Sequence, residues 1–93
     1  MHTAFVRIKV NPARAGAIGE AMRALVAPTL AEPGCISYEF YCDCEDPSLF
    51  LCFEHWQDRE ALDRHGSTAH VLRFLNEFGG DIERWDVNHT RAL

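Results

Sequence analysis

Residues 35–56 read CISYEFYCDCEDPSLFLCFEHW, and the alternation inside this stretch decides what kind of fold the chain can form. Two β-rich runs, 35–42 and 49–56, are joined by Asp43-Cys44-Glu45-Asp46-Pro47-Ser48, a hairpin connection longer than two residues. In the first run Ile36, Tyr38, Phe40 and Cys42 share a face. In the second, Leu49, Leu51 and Phe53 alternate with Phe50, Cys52 and Trp56, so both faces of that strand are apolar. A helix layer covers only one of them. The other needs a cover of its own, and for a chain of 93 residues the expected cover is the sheet of a second copy, in a symmetric homodimer.

Outward from the hairpin, residues 3–10 (TAFVRIKV) alternate as a strand, with Val6, Ile8 and Val10 opposite Phe5, Arg7 and Lys9. Asn11-Pro12 reads as a helix cap followed by proline at the first helical position, where its missing N–H does no harm. Ala15, Ile18, Met22, Leu25 and Val26 then form one apolar stripe, which Pro28 is expected to end or bend, and Glu32-Pro33-Gly34 reads as a turn. Past the hairpin, Asp58 can cap a short helix holding Ala61, Leu62 and His65. Gly66 breaks it, and Ser67 or Thr68 can cap a longer helix through Val71, Phe74, Leu75 and Phe78, stopped by Gly79-Gly80. A last strand runs from Ile82 through Trp85, Val87 and His89. The order strand, helix, strand, strand, helix pair, strand is that of an α+β, ferredoxin-like βαββαβ fold with an antiparallel sheet. It is expected to occupy residues 1–93 as one domain.

Composition narrows the function. A formal charge of −5 without a Lys/Arg cluster argues against nucleic acid as a partner. No apolar run reaches the roughly 18 residues of a membrane span, and no signal-peptide pattern opens the chain, so no membrane partner and a cytoplasmic location are expected. Cys35, Cys42, Cys44 and Cys52 are expected to be reduced and mostly packed in strands. Cys42-x-Cys44 with Cys52 across the hairpin is a possible soft-metal set, without the paired CxxC spacing that would support it.

The chemistry gathers in FEHWQDREALDRHGSTAH, residues 53–70. Strand alternation puts Glu54 and Trp56 on one face and His55 on the other, where packing or a dimer contact would engage it. His65 shares the inward side of the short helix with Ala61 and Leu62, and His70 lies at the edge of the next helix's apolar stripe. Both histidines therefore approach the sheet where Glu54 and Trp56 meet them, provided the helices cover that face. Plainer readings compete: hydrogen-bonded core histidines, a tryptophan buried for packing, and Glu54 paired with Arg59 or Arg64. His65 and His70 lack the i, i+4 spacing of a zinc helix and no third helical ligand follows, so no metal site is expected.

Glu32-Pro33-Gly34-Cys35-Ile36-Ser37-Tyr38, then Phe50, Glu54-x-Trp56 and Asp58, then His65-x-x-Thr68-x-His70 with Phe74 resemble the antibiotic biosynthesis monooxygenase family, in particular its quinol-monooxygenase-like members. The likeness covers about residues 3–90. It implies a dimeric α+β barrel with a pocket between sheet and helices in each subunit. It further implies oxidation of a small aromatic quinol, phenol or anthrone by O₂ with no metal, flavin or haem cofactor. In that chemistry a base removes a phenolic proton and the electron-rich anion passes an electron to O₂. The matching positions are Tyr38, Glu54, Trp56, His65 and His70. They imply His65 as base, Glu54 or His70 orienting it, and Trp56 and Tyr38 lining the substrate site. Two departures matter. The polyketide-oxidising branch has asparagine where Cys52 stands, and the haem-degrading branch's asparagine, tryptophan and histidine correspond to Val6, His65 and Leu75. Other relatives isomerise small phosphorylated ketones, so isomerisation of a small carbonyl compound and a non-catalytic dimeric binding module stay open beside oxidation.

Overall fold

The computed structural model describes residues 1–93. The strand β1 (His2–Val10) leads through a 3₁₀ turn (Pro12–Arg14) into α1 (Ala15–Leu30). Then come β2 (Cys35–Cys42), β3 (Leu49–Trp56), α2 (Arg59–His65), α3 (Ala69–Phe78), a second 3₁₀ turn (Gly79–Asp81) and β4 (Ile82–Thr90). The sheet order is β2-β3-β1-β4 and every neighbouring pair is antiparallel, which is the ferredoxin-like arrangement.

Side-chain alternation sets the layers. Ala4, Val6, Ile8 and Val10 of β1 and Phe50, Cys52, Glu54 and Trp56 of β3 are buried under the helices. Ile18, Met22, Leu25 and Thr29 of α1, spaced three and four apart, close over them. Ile8, Ile18, Met22 and Trp56 are among the largest fully buried side chains, and truncating any of them to alanine costs about 2–5 kcal/mol. The opposite face carries Phe5 (47% exposed), Tyr41 (53%) and Leu51 (37%), with the Phe5 and Phe53 rings in edge contact at 4.7 Å. His55 faces this open side too, its Nδ1 2.7 Å from the Ser37 hydroxyl.

The capping expectations hold in part. Asn11 Oδ1 accepts from the Ala13 N–H, and Asp58 Oδ1 accepts from the Ala61 N–H and so starts α2. Thr68 occupies the cap position of α3, but its hydroxyl instead donates back to the His65 carbonyl at 2.8 Å, tying α3 to α2. Pro28 does not end α1, which runs two residues further to Leu30. In the last turn the missing donor interrupts little of the helix before it closes. Leu75, expected in the inward stripe, is 39% exposed, because α3 leaves β4 uncovered; Trp85 (45%) and Val87 (39%) are open on the same side. Cys52 is buried and Cys35 half-buried, while Cys42 and Cys44 are exposed, so Cys42 departs from the expected packing. No helix is long and apolar enough to cross a membrane.

Candidate active site

The turn after α1 brings the decisive group. The Glu32 N–H donates to the Thr29 carbonyl, and the Glu32 carbonyl accepts from the Cys35 N–H, so its backbone is held from both sides. Gly34 supplies the left-handed conformation (φ 88°) that reverses the chain into β2, and its carbonyl accepts from the Gln57 N–H just past β3. Only glycine suits the position twice over, since a Cβ there would lie 2.7 Å from the Ala61 Cβ of α2. The turn and α2 are thus pressed together, and the side chains of Glu32 and His65 meet.

Glu32 Oε2 lies 2.7 Å from His65 Nδ1 and 2.7 Å from His70 Nε2, accepting from both rings. The three side chains are almost enclosed, at 10%, 9% and 16% exposure respectively. The His65 ring sits between Tyr38 (centroids 5.2 Å apart) and Trp56 (5.1 Å). Nδ1 is committed to Glu32, so Nε2 is the ring nitrogen left without a hydrogen-bond partner.

His65 forms part of the wall of a cavity of about 230 Å³, of which 14 of 18 lining residues are hydrophobic. Tyr38, Cys52 and Glu54 line its sheet side, and Met22, Leu62 and Phe74 its helix side. Leu75, Trp85 and Val87 lie where β4 is left uncovered. Neither lysine nor arginine lines it.

The residues singled out in the sequence are therefore only partly brought together. His65, Tyr38 and Glu54 share the cavity, whereas Trp56 is fully buried behind His65 and His70 stands outside it. Glu54 forms no hydrogen bond with His65: its Oε1 accepts from Trp56 Nε1–H at 3.0 Å and its Oε2 from the Cys52 thiol at 3.6 Å. Nor does it pair with arginine, Arg59 being turned to Asp63. Glu32 takes the orienting position at His65. It falls in the Glu32-Pro33-Gly34 turn, and nothing local marks a turn carboxylate as aimed at a helix 33 residues on. Burial pushes the Glu54 carboxyl above its ordinary range, against the opposing pull of the Trp56 N–H and of His65. Burial also raises the Tyr38 hydroxyl and the Cys52 thiol, so both stay protonated and can donate.

Glu32, His65 and His70 offer one oxygen and two nitrogens within 4.8 Å of one another. They could converge on a divalent cation only by giving up both hydrogen bonds to the shared oxygen. The arrangement that stands is a carboxylate bridging two imidazoles, which can move a proton at His65 Nε2.

The profile of the family described as Antibiotic biosynthesis monooxygenase matches residues 1–77. An uncharacterized protein of Synechocystis is 39% identical over 75% of this chain, although the chain spans only 48% of that relative. Rv0793 of Mycobacterium tuberculosis, provisionally named a monooxygenase, is 34% identical over 84% of this chain and 76% of its own. A Yersinia enterocolitica protein named as an isomerase of (4S)-4-hydroxy-5-phosphonooxypentane-2,3-dione is 31% identical, over 86% of this chain and 83% of its own. Among solved structures, PA3566 of Pseudomonas aeruginosa superposes with a TM-score of 0.92 at 36% identity, over 99% of this chain and 93% of that one. Sequence profile, relatives and fold agree: the chain belongs to the antibiotic biosynthesis monooxygenase family.

Proposed function

We propose that this protein is a monooxygenase that needs no metal, flavin or haem and oxidises a small phenol, quinol or anthrone with O₂. The observation that carries the reading is the buried Glu32–His65 pair, whose imidazole engages Glu32 through Nδ1 and lines an apolar cavity. A phenolic hydroxyl docked there loses its proton to Nε2, and Glu32 offsets the positive charge that appears on the ring. The phenolate gives one electron to O₂. The resulting radical pair joins at a ring carbon that carries hydrogen, the peroxide takes back the proton held by His65, and loss of water with that ring hydrogen leaves one oxygen atom in a quinone carbonyl. Substrate supplies every electron, so the protein has only to deprotonate, orient and keep bulk water away. Tyr38, held protonated, can donate to the phenolate oxygen, while Trp56 acts from behind as packing for His65. His70 steadies Glu32 from its second side.

Isomerisation of a phosphorylated ketone, the reaction named for the Yersinia relative, is a second reading. It is disfavoured here, because a phosphoryl group would meet the Glu54 carboxyl and no cation in the cavity. Oxygen-electrode assays over a panel of quinols, phenols and anthrones, with chelator present, test the proposal. Uptake that requires His65 supports it. Solvent deuterium entering a carbonyl product without O₂ consumption would establish the isomerase instead.

A further inference from the structure

The cavity has a second polar edge, on the strand farthest from the Glu32–His65 pair. In the sheet register Ala4 pairs with Glu54 on one side and with His89 on the other, and Glu54 pairs in turn with Tyr38. Tyr38, Glu54, Ala4 and His89 thus form one row across four strands, and all four line the cavity. Ala4, fully buried, is the smallest member and forms the floor between Glu54 and His89, whose backbones stand two strand spacings, about 9–10 Å, apart. Tyr38, Glu54 and His65 stand on the near side of that floor. On the β4 side the lining is Trp85, Val87 and His89, of which His89 alone is titratable. His89 is also held in place: its Nδ1 lies 2.9 Å from His2 Nε2, the two rings 5.1 Å apart. One ring donates and the other accepts, which leaves the Nε2 of His89 as its free nitrogen. Partial desolvation, with Arg59 and His2 nearby, lowers the pKa of His89.

Taking the cavity as the substrate site, as proposed above, we infer that His89, fixed by His2, is a specificity residue that recognises a second oxygen on the substrate. The ligand class is then a flat ring system with oxygens at opposite edges, one hydroxyl at His65 and the other oxygen at His89, with the ring lying over Ala4 and Val6. A mono-phenol would bind without this second contact. It would lose little else, since His89 is open enough to keep a water in place of the missing oxygen.

The test is anaerobic binding, so that no turnover intervenes, with a para-dihydroxynaphthalene and the matching mono-naphthol as probes. Titrations on wild type, His89→Leu, His89→Gln and His65→Ala are compared by calorimetry, the fold of each variant being checked by circular dichroism. His89→Leu is expected to weaken the diol about five- to tenfold, the worth of one neutral hydrogen bond, while moving the mono-naphthol less than about twofold. His89→Gln, which keeps a donor and an acceptor, should retain most of the preference, and His65→Ala should weaken both probes. Equal effects of His89→Leu on the two probes, or none on either, overturn the assignment of His89 alone. Failure of the wild type to bind either probe overturns the reading of the cavity, and this inference with it.

Discussion

The Nδ1 of His65 and the Oε2 of Glu32 are 2.7 Å apart although 33 residues separate them in the chain. A neutral acceptor in place of the carboxylate would still fix the ring but would not balance the charge it gains as a base. Glu32→Gln is therefore expected to lower kcat by about tenfold or more while leaving KM nearly unchanged. His65→Ala should lose about 10²–10⁴-fold, the usual worth of a general base. Steady-state oxygen uptake on the best panel substrate checks both. Equal activity of Glu32→Gln and wild type would remove Glu32 from the chemistry.

The contact between Gly34 and Ala61 leads to a second expectation. An alanine at position 34 would strain a backbone at φ 88° and set two methyl carbons 2.7 Å apart. Gly34→Ala is expected to destabilise the fold by about 1–3 kcal/mol. It should also reduce turnover, because the turn that moves to relieve the contact carries Glu32. Adding Ala61→Gly removes the collision and leaves the backbone strain, so thermal unfolding of the double variant should recover only part of the loss. Full recovery would show that the positive φ costs little here.

Much of this architecture was readable from alternation and caps. Asp58 announces α2, and the two-sided pattern of Leu49–Trp56 announces a sheet with one face left bare. The inward turn of His65 follows from its spacing to Ala61 and Leu62. The role of Glu32 was not readable, because a Glu-Pro-Gly turn has no periodicity and its side chain finds a partner only through tertiary packing. Trp56 shows the opposite error. Strand alternation gives its face correctly, but cannot tell a residue that lines a cavity from one sealed behind it.

Glu54 offers a test by pH. Burial raises its carboxyl pKa in the folded state above about 4.5, its ordinary value. The folded state therefore binds this proton more tightly than the unfolded chain does. That contribution to stability is present in full below the unfolded pKa and is lost as pH rises through the folded one. At neutral pH the buried charge is a cost, and Glu54→Gln removes it while a side-chain oxygen remains to accept from Trp56. The melting temperature of Glu54→Gln relative to wild type is expected to climb from pH 4 to pH 8. A flat difference across that range would mean that the Trp56 and Cys52 hydrogen bonds offset the burial completely.

The bare sheet face motivates the next expectation. Phe5, Tyr41 and Leu51 lie together there with the Phe5–Phe53 ring contact, an apolar patch of the kind that a second copy of the sheet would cover. We expect the wild type to sediment as a dimer at micromolar concentration and Leu51→Glu to shift it to monomer, since a carboxylate in a closed apolar interface would lose its solvation unpaired. A wild type that stays monomeric would leave this face needing another explanation.

The bridged histidines make a last prediction about metals. A cation entering between Glu32, His65 and His70 must displace the Nδ1–H bond that leaves Nε2 of His65 as a base, so occupancy and base catalysis compete. Chelator is therefore expected to leave turnover unchanged. Zinc, which favours two imidazoles and a carboxylate, should inhibit in a manner relieved by chelator and weakened in His70→Ala. Because thiols also bind zinc, the exposed Cys42 and Cys44 are replaced by serine in the tested background. Activity that disappears on chelation and returns with one metal would reverse the assignment, making the three side chains a metal centre and His65 a ligand instead of a base.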